Sequence, residues 1–242
     1  MTENEFIEEC KKIHIELTEE NLFKLKEYSN LLIEWNKKFN LTSIIEPKQI
    51  YLKHFYDSLC LIKIGNLSNK RICDFGTGAG FPGIVIAIIF NDSDITLIES
   101  NGKKVKFLEE VKRSLDLKNV KIIKDRVEEY SKKNKELFDI VTCRAVSNIN
   151  IVLELCCQLV KINGIFAPLK SNIEELENTD GIIKKLGFRL ENIINYYLPI
   201  ENSTRNIPIY KKITNTNIKY PRNYNIILKE NIIKKSNVQA IN

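Results

Sequence analysis

The sequence predicts an α/β protein with a mostly parallel, doubly wound sheet, a C-terminal antiparallel hairpin and an N-terminal helical extension. Three observations predict it. From Lys70 onward, short apolar runs alternate with helical patterns, the rhythm of βαβ crossovers. Glycines at 76, 78, 80 and 83 separate the short apolar strand Arg71-Ile-Cys-Asp-Phe75 from the apolar run Ile84 to Phe90. Such a loop turns tightly and brings bare backbone against a ligand, as in the crevice at the carboxyl edge of a doubly wound sheet. Residues 1–64 are helical in pattern and carry no glycine motif of their own.

Taken in order, Leu22, Leu25, Tyr28, Leu32, Trp35 and Phe39 fall at three- and four-residue steps and predict an amphipathic helix over 18–39. Thr18 is its expected N-cap, with Leu17 stapled to Leu22. A second helix opens at Glu46-Pro47 and runs to about Ile64, with His54 and Asp57 one turn apart and able to face each other. Such a pair is more often a surface or capping interaction than a chemical one. Strands are expected at 70–75, 94–99, 119–124, 138–143 and 164–169, the last announced by the turn signal Asn163-Gly164. Helices are expected at 83–90, 102–117, 126–133 and 148–161, with another from Glu174 to Leu186 stopped by Gly187. Runs at 188–197 and 205–213 read as an antiparallel pair at one edge. The expected organisation is a helical extension over 1–64, a sheet domain over 65–213 and a basic tail over 214–242.

Composition narrows the class. With 43% hydrophobic and 28% charged residues the chain is an ordinary globular protein. No apolar run approaches the roughly 18 residues that span a bilayer, and the amino terminus lacks a secretory pattern. A cytoplasmic protein away from membranes is expected. Six cysteines without C-x-x-C spacing and two histidines offer no zinc pattern, so no metal is expected. Cys156-Cys157 lies in an apolar helical run and reads as packing. From Lys211 onward seven basic residues stand against Glu230, so the whole net charge of +6 falls at the end of the chain. Interleaved with Tyr210, Tyr220 and Tyr224, that end suits a polyanion with stackable bases, or else serves solubility.

The glycine loop admits two ligands. Gly78-x-Gly80-x-x-Gly83 with Glu99 about 20 residues on matches the dinucleotide fingerprint. Against it, Pro82 has no N–H for a pyrophosphate, and Asp74 would repel one. S-adenosylmethionine carries an ammonium, a sulfonium and a ribose, and no phosphate. Asp74, Glu99 and a carboxylate within Asp125-Arg126-Val127-Glu128, near three successive strand ends, suit that cation. The bland alternative keeps the glycines for packing and the carboxylates as caps.

The motifs Trp35-Asn-Lys-Lys-Phe-Asn-Leu-Thr42, His54-Phe-Tyr-Asp-Ser-Leu59, Asp74-Phe-Gly-Thr-Gly-Ala-Gly-Phe-Pro-Gly83, Glu99-Ser-Asn-Gly-Lys-Lys104 and Arg126-Val-Glu128 occur in that order. Cys143-Arg-Ala-Val146, Leu169-Lys170, Arg205 and Tyr220-Pro-Arg222 follow. Together they resemble the bacterial RsmG (GidB) family, methyltransferases that modify guanine N7 in small-subunit ribosomal RNA. The resemblance implies a Rossmann-like class I S-adenosylmethionine-dependent fold, 16S rRNA or the small ribosomal subunit or its precursor as partner, and the 527-type guanine as target. It places Gly76, Phe81, Val127, Glu128 and Arg144 at cofactor positions, beside Asp74, Gly78 and Glu99 read from the loop. Asp125 stands where many members have a small residue, and Asn225 where a glycine often follows.

Methylating N7 needs no general base, because its lone pair carries no proton; the task is positioning. The sequence lacks the Asn/Asp-Pro-Pro-Tyr/Phe motif of exocyclic amine methylation. Arg126, Arg144, Lys170 and Arg205 are expected to converge at the carboxyl edge on phosphate and O6, each with a surface ion pair as its alternative. No catalytic residue is singled out beyond these, and a monomer is expected. The rivals from other classes are a dinucleotide-dependent oxidoreductase and a non-catalytic rRNA-binding assembly factor.

Overall fold

The computed structural model describes residues 1–171 and 179–239, with side chains to residue 231. The described residues form a seven-stranded sheet in the order β3-β2-β1-β4-β5-β7-β6. β1 (Arg71–Phe75), β2 (Asp94–Glu99), β3 (Val120–Lys124), β4 (Phe138–Thr142) and β5 (Val160–Phe166) run parallel. β6 (Phe188–Leu198) and β7 (Ser203–Lys212) pair antiparallel to each other, and β7 closes on β5. The doubly wound sheet and terminal hairpin are those the alternating pattern predicts. β1 sends its chain to β2 on one side and neighbours β4 on the other, so the crevice opens above β1 and β4.

Side chains alternate across the strands and supply two cores. On one face Ile72, Ile95 and Leu97 join α5 (Gly83–Ile89), α6 (Gly102–Ser114) and the N-terminal helices. On the other, Cys73, Phe75, Ile98 and Val141 join α8 (Ile149–Cys156) and the chain end at Tyr220 and Ile227. All six cysteines are buried and free, as packing residues.

α2 (Glu19–Phe39) opens on Thr18, whose hydroxyl accepts from Asn21 N at 3.1 Å while Asn21 answers the Thr18 amide. Leu25, Tyr28 and Leu32 of the predicted stripe are buried; Leu22, Trp35 and Phe39 toward its ends are half-buried. The second helix begins at Pro47 behind a Glu46 cap but is not uniform. Pro47–Ile50 (α3) gives way to a π-helical stretch, Tyr51–Tyr56, then Asp57–Leu59 (α4) and a 3-10 turn, Cys60–Ile64. π segments recur at functional sites, and this one carries His54. An additional helix, α1 (Glu3–Lys12), rests on a Thr2–Glu5 capping box.

Two expectations need correction. Asn163-Gly164 does not precede β5; it lies inside it, at the register shift opposite Phe138 and Ile140. Asn163 takes φ +67, and a Cβ on Gly164 would sit 2.9 Å from the Asp139 carbonyl, so the pair forms a bulge within the strand. The helix expected over 148–161 therefore ends at Cys156. Nor, among the described residues, is the whole basic end open to a polyanion. Tyr210 is fully buried, and Lys212 is buried with its ammonium on the carbonyls of Cys157 and Leu186 and the Thr216 hydroxyl. Arg222 is forked onto buried Glu154, with Nε–Oε1 and NH2–Oε2 both 2.8 Å. Tyr224–Gln239 is a helix, α10. Of the helix expected from Glu174, residues 180–185 form α9 (Asp180–Lys185), Gly187 at φ +75 stops it, and 174–178 lie outside the described residues.

Candidate active site

Asp74 lies one residue before the end of β1 and organises the glycine loop. Its Oδ2 accepts from Thr77 Oγ1 at 2.5 Å and from Gly83 N at 2.8 Å, so it draws the loop closed and caps α5. Gly76, Gly78 and Gly80 have φ of +61°, +63° and +102°, a region L side chains rarely enter. Gly80 is also hemmed in: a Cβ there would lie 2.6 Å from Ile84 and 2.7 Å from the Tyr28 hydroxyl. That hydroxyl donates to the Ala79 carbonyl at 2.5 Å, so α2 holds the loop from below.

The geometry turns the loop away from a pyrophosphate. Pro82 is the N-cap of α5, and the first helical amide, Gly83 N, is already committed to Asp74. What the crevice offers is negative charge. Asp74 Oδ1 is buried without a hydrogen-bond partner among the described residues, and burial pushes this carboxyl up to about 7 despite the donors on Oδ2. Glu99, at the tip of β2, is buried with Oε2 on Gly78 N at 3.0 Å and Oε1 on Asn101 N at 2.8 Å. Glu128 is buried in the first turn of α7 (Val127–Lys133), next to Val127. An orphaned carboxylate oxygen with further carboxylates at the ends of β2 and β3 fits a cationic nucleoside.

Of the four basic residues expected to meet, three do. Arg144, Lys170 and Arg205 line a cavity of about 590 Å³ with Lys53, His54 and Asp57. Arg126 stands apart. It is exposed, lies 5.9 Å from the Tyr224 ring, and borders a separate 360 Å³ hollow with Glu128 and Asn223.

Arg144 joins the two halves of the site. One guanidinium nitrogen donates to the Lys53 carbonyl at 2.8 Å and to Asp57 Oδ2 at 3.1 Å; the other faces His54 Nδ1 at 2.9 Å. The guanidinium also lies 5.1 Å from the Phe81 ring, on which His54 stacks at 4.2 Å with 18° between planes. So Phe81 touches both the cavity wall and the glycine loop. Val146 packs onto Gly76, where a Cβ would come within 2.8 Å of it. Lys170 pairs its backbone with Asn206 and donates Nζ to the Ser147 carbonyl at 2.5 Å. Arg205 donates to the Thr204 carbonyl and approaches Asp57 Oδ1 at 3.6 Å.

His54 and Asp57 thus face Arg144 rather than each other, and both are buried. Their three-residue spacing was the available signal; the partner 87 positions away left none. Tyr196, whose hydroxyl donates to Asp57 Oδ1 at 2.8 Å, also escaped sequence reasoning.

The sheet order and crevice define a Rossmann-like fold shared with methyltransferases. A methyltransferase described as S-adenosylmethionine-dependent, from Aquifex aeolicus, superposes with a TM-score of 0.54 over 72% of this chain and 97% of its own, at 16% identity. M. jannaschii TYW2, solved in complex with AdoMet, gives 0.54 over 71% and 80% at 17%. At these identities the likeness is one of fold. Sequence is more specific: residues 21–203 match the family model for rRNA small subunit methyltransferase G. Ribosomal RNA small subunit methyltransferase G of Bacillus subtilis is 44% identical over 86% of this chain and 89% of the relative. The Mycoplasma capricolum protein of that name is 46% identical over 86% and 90%. The chain belongs to the rRNA small subunit methyltransferase G family.

Proposed function

We propose that this protein transfers a methyl group from S-adenosylmethionine to N7 of one guanine, the 527-type position, in 16S rRNA of the small ribosomal subunit. When bound, the cofactor supplies an electrophilic methyl on a sulfonium. Asp74, Gly76, Gly78 and Phe81 would hold its amino-acid end, Glu99 its ribose and Val127 with Glu128 its adenine. Arg144 lies between that seat and the cavity, where it holds Phe81 and the wall in register. Lys170 and Arg205 meet RNA phosphate or O6, and Arg126 serves the adenine side.

The observation that carries this reading is the lack, among the described residues, of a spare base in the cavity wall. Arginine has only protons to give, so His54 Nδ1 accepts from Arg144, and Nε2–H donates to Thr42 Oγ1 at 3.1 Å. Burial, then the Arg144 charge, push this imidazole down to about 3. Asp57, the carboxylate of the wall, is committed to Arg144 and Tyr196. Such a wall suits a nucleophile that has no proton to lose. Guanine N7 is one; an exocyclic amine or a ribose hydroxyl is not.

The test is transfer from methyl-tritiated S-adenosylmethionine to small ribosomal subunits, followed by nucleoside analysis. Label in N7-methylguanosine supports the reading. Label in another nucleoside contradicts it, and RNA binding without transfer would favour the assembly-factor alternative.

A further inference from the structure

Asp57 is a buried carboxylate asked to serve three donors on three elements. Its Oδ2 takes Arg144 NH1 at 3.1 Å, from the end of β4. Its Oδ1 takes the Tyr196 hydroxyl at 2.8 Å, from β6, and faces Arg205 Nε at 3.6 Å, from β7. The side chain is 6% exposed, against 16% for Arg144 and 20% for Arg205. The two arginines are held unequally. Arg144 has the Lys53 carbonyl and His54 as well, whereas Arg205 has Asp57 at long range and the carbonyl of its own neighbour Thr204. A second tie runs beside it: Lys53 Nζ pairs with Glu201 at 2.9 Å and pins the hairpin tip to the π-helical stretch.

We propose that Asp57 is a positioning residue for methyl transfer, the shared counter-ion that sets Arg144 and Arg205 at a fixed spacing on the cavity wall. This rests on the reading that the cavity receives RNA. Without the carboxylate, two guanidinium groups face each other across a half-buried site with one neutral acceptor between them. Arg205, the less tethered, turns away first. Arg144 keeps two partners but loses the charge that fixes its plane over Phe81. The division of labour follows: Arg144 serves the interior between cofactor seat and cavity, and Arg205 is the arm free to exchange Asp57 for a phosphate. Cofactor binding, which rests on the glycine loop, is left intact.

The experiment compares wild type, Asp57→Asn, Tyr196→Phe, Arg205→Gln and Asp57→Asn with Arg205→Gln. It measures tritium transfer to small subunits, RNA retention on filters, cofactor affinity by calorimetry and folding by circular dichroism. Asp57→Asn is expected to lower kcat by about 30-fold or more while cofactor Kd stays within about threefold. Tyr196→Phe, which takes away only the neutral donor, loses about 3- to 10-fold. The double variant is no worse than Asp57→Asn alone, because the two residues act as one unit. Wild-type kcat in Asp57→Asn, losses that add in the double variant, or a cofactor Kd that rises in proportion as kcat falls would overturn the proposal. Should Asp57→Asn not fold, Tyr196→Phe decides: unchanged kcat overturns. A wild-type chain that methylates something other than guanine N7 sinks the proposed function, and the Asp57 effect is then read on that transfer. With no transfer at all, filter retention reads it: Asp57→Asn and Arg205→Gln must weaken RNA binding alike and non-additively, and unaltered retention overturns.

Discussion

His54 Nδ1 lies 2.9 Å from a terminal guanidinium nitrogen of Arg144, and the same imidazole is stacked on Phe81 at 4.2 Å. A neutral, buried histidine is thereby fixed in one tautomer between a cation and the glycine loop. Its folded-state titration near 3 sits well below the ordinary value of 6.5. Between those values the unfolded chain binds a proton that the folded chain does not, so stability falls as pH drops below about 6.5. The slope is up to about 1.4 kcal/mol per pH unit. Urea unfolding of wild type and His54→Gln at pH 7 and pH 5 checks this. Wild type should lose more stability on acidification; equal losses would contradict it.

Asp74 gives a second pH dependence, of opposite sign for stability. Its folded value of about 7 lies above the ordinary 3.8, so between them the folded state holds the extra proton and this group's contribution falls as pH rises. A cationic ligand favours the carboxylate. Cofactor affinity should therefore rise as pH passes upward through about 7, and calorimetry should find that rise lost in Asp74→Asn.

Gly80 has neither the dihedral freedom nor the space for a side chain. At φ +102, with Ile84 and the Tyr28 hydroxyl under 3 Å from a Cβ, Gly80→Ala should cost about 2 kcal/mol or more. Cofactor binding should weaken with it, because Tyr28 holds the loop through Ala79. Thermal melts with and without S-adenosylmethionine read both effects.

Arg222, one of the basic residues toward the end of the chain, is paired with fully buried Glu154. Arg222→Ala leaves that carboxylate uncompensated and should cost about 3 kcal/mol. Transfer per folded molecule should hardly change, as assayed on the soluble fraction after a melt.

The strands, the glycine loop and the hairpin were legible because their signals are local: apolar runs of strand length, glycine spacing and turn residues. The loop's ligand class was legible from Asp74 and Pro82, whose geometry later matched the chemistry argued from their types. Asn163-Gly164 misled because the same dipeptide serves a turn or a bulge, and only the partner strand decides. The basic end was legible only in part for a related reason: charge is visible in sequence, but the buried carboxylate of Glu154 that neutralises Arg222 lies 68 residues away. Arg144, Lys170 and Arg205 converge because β4, β5 and β7 are neighbours, a strand order that the sequence pattern did not state beyond a hairpin at one edge. That Arg126 turns to Tyr224 depends on α10, which no periodicity announced.

Arg144 is the proposed link between cofactor and substrate. Arg144→Ala should retain the fold, since Asp57 keeps the Tyr196 hydroxyl and Arg205 as partners, yet abolish transfer, with activity at least about 100-fold down. Circular dichroism and the tritium assay on one preparation give both readings.

The most direct measurement maps N7-methylguanine in small-subunit RNA by reduction and aniline cleavage, in cells with and without this gene. One cleavage is expected at a single guanine in the parent, absent from the deletion and restored by the wild-type gene but not by Arg144→Ala. The same cleavage in parent and deletion would contradict that expectation.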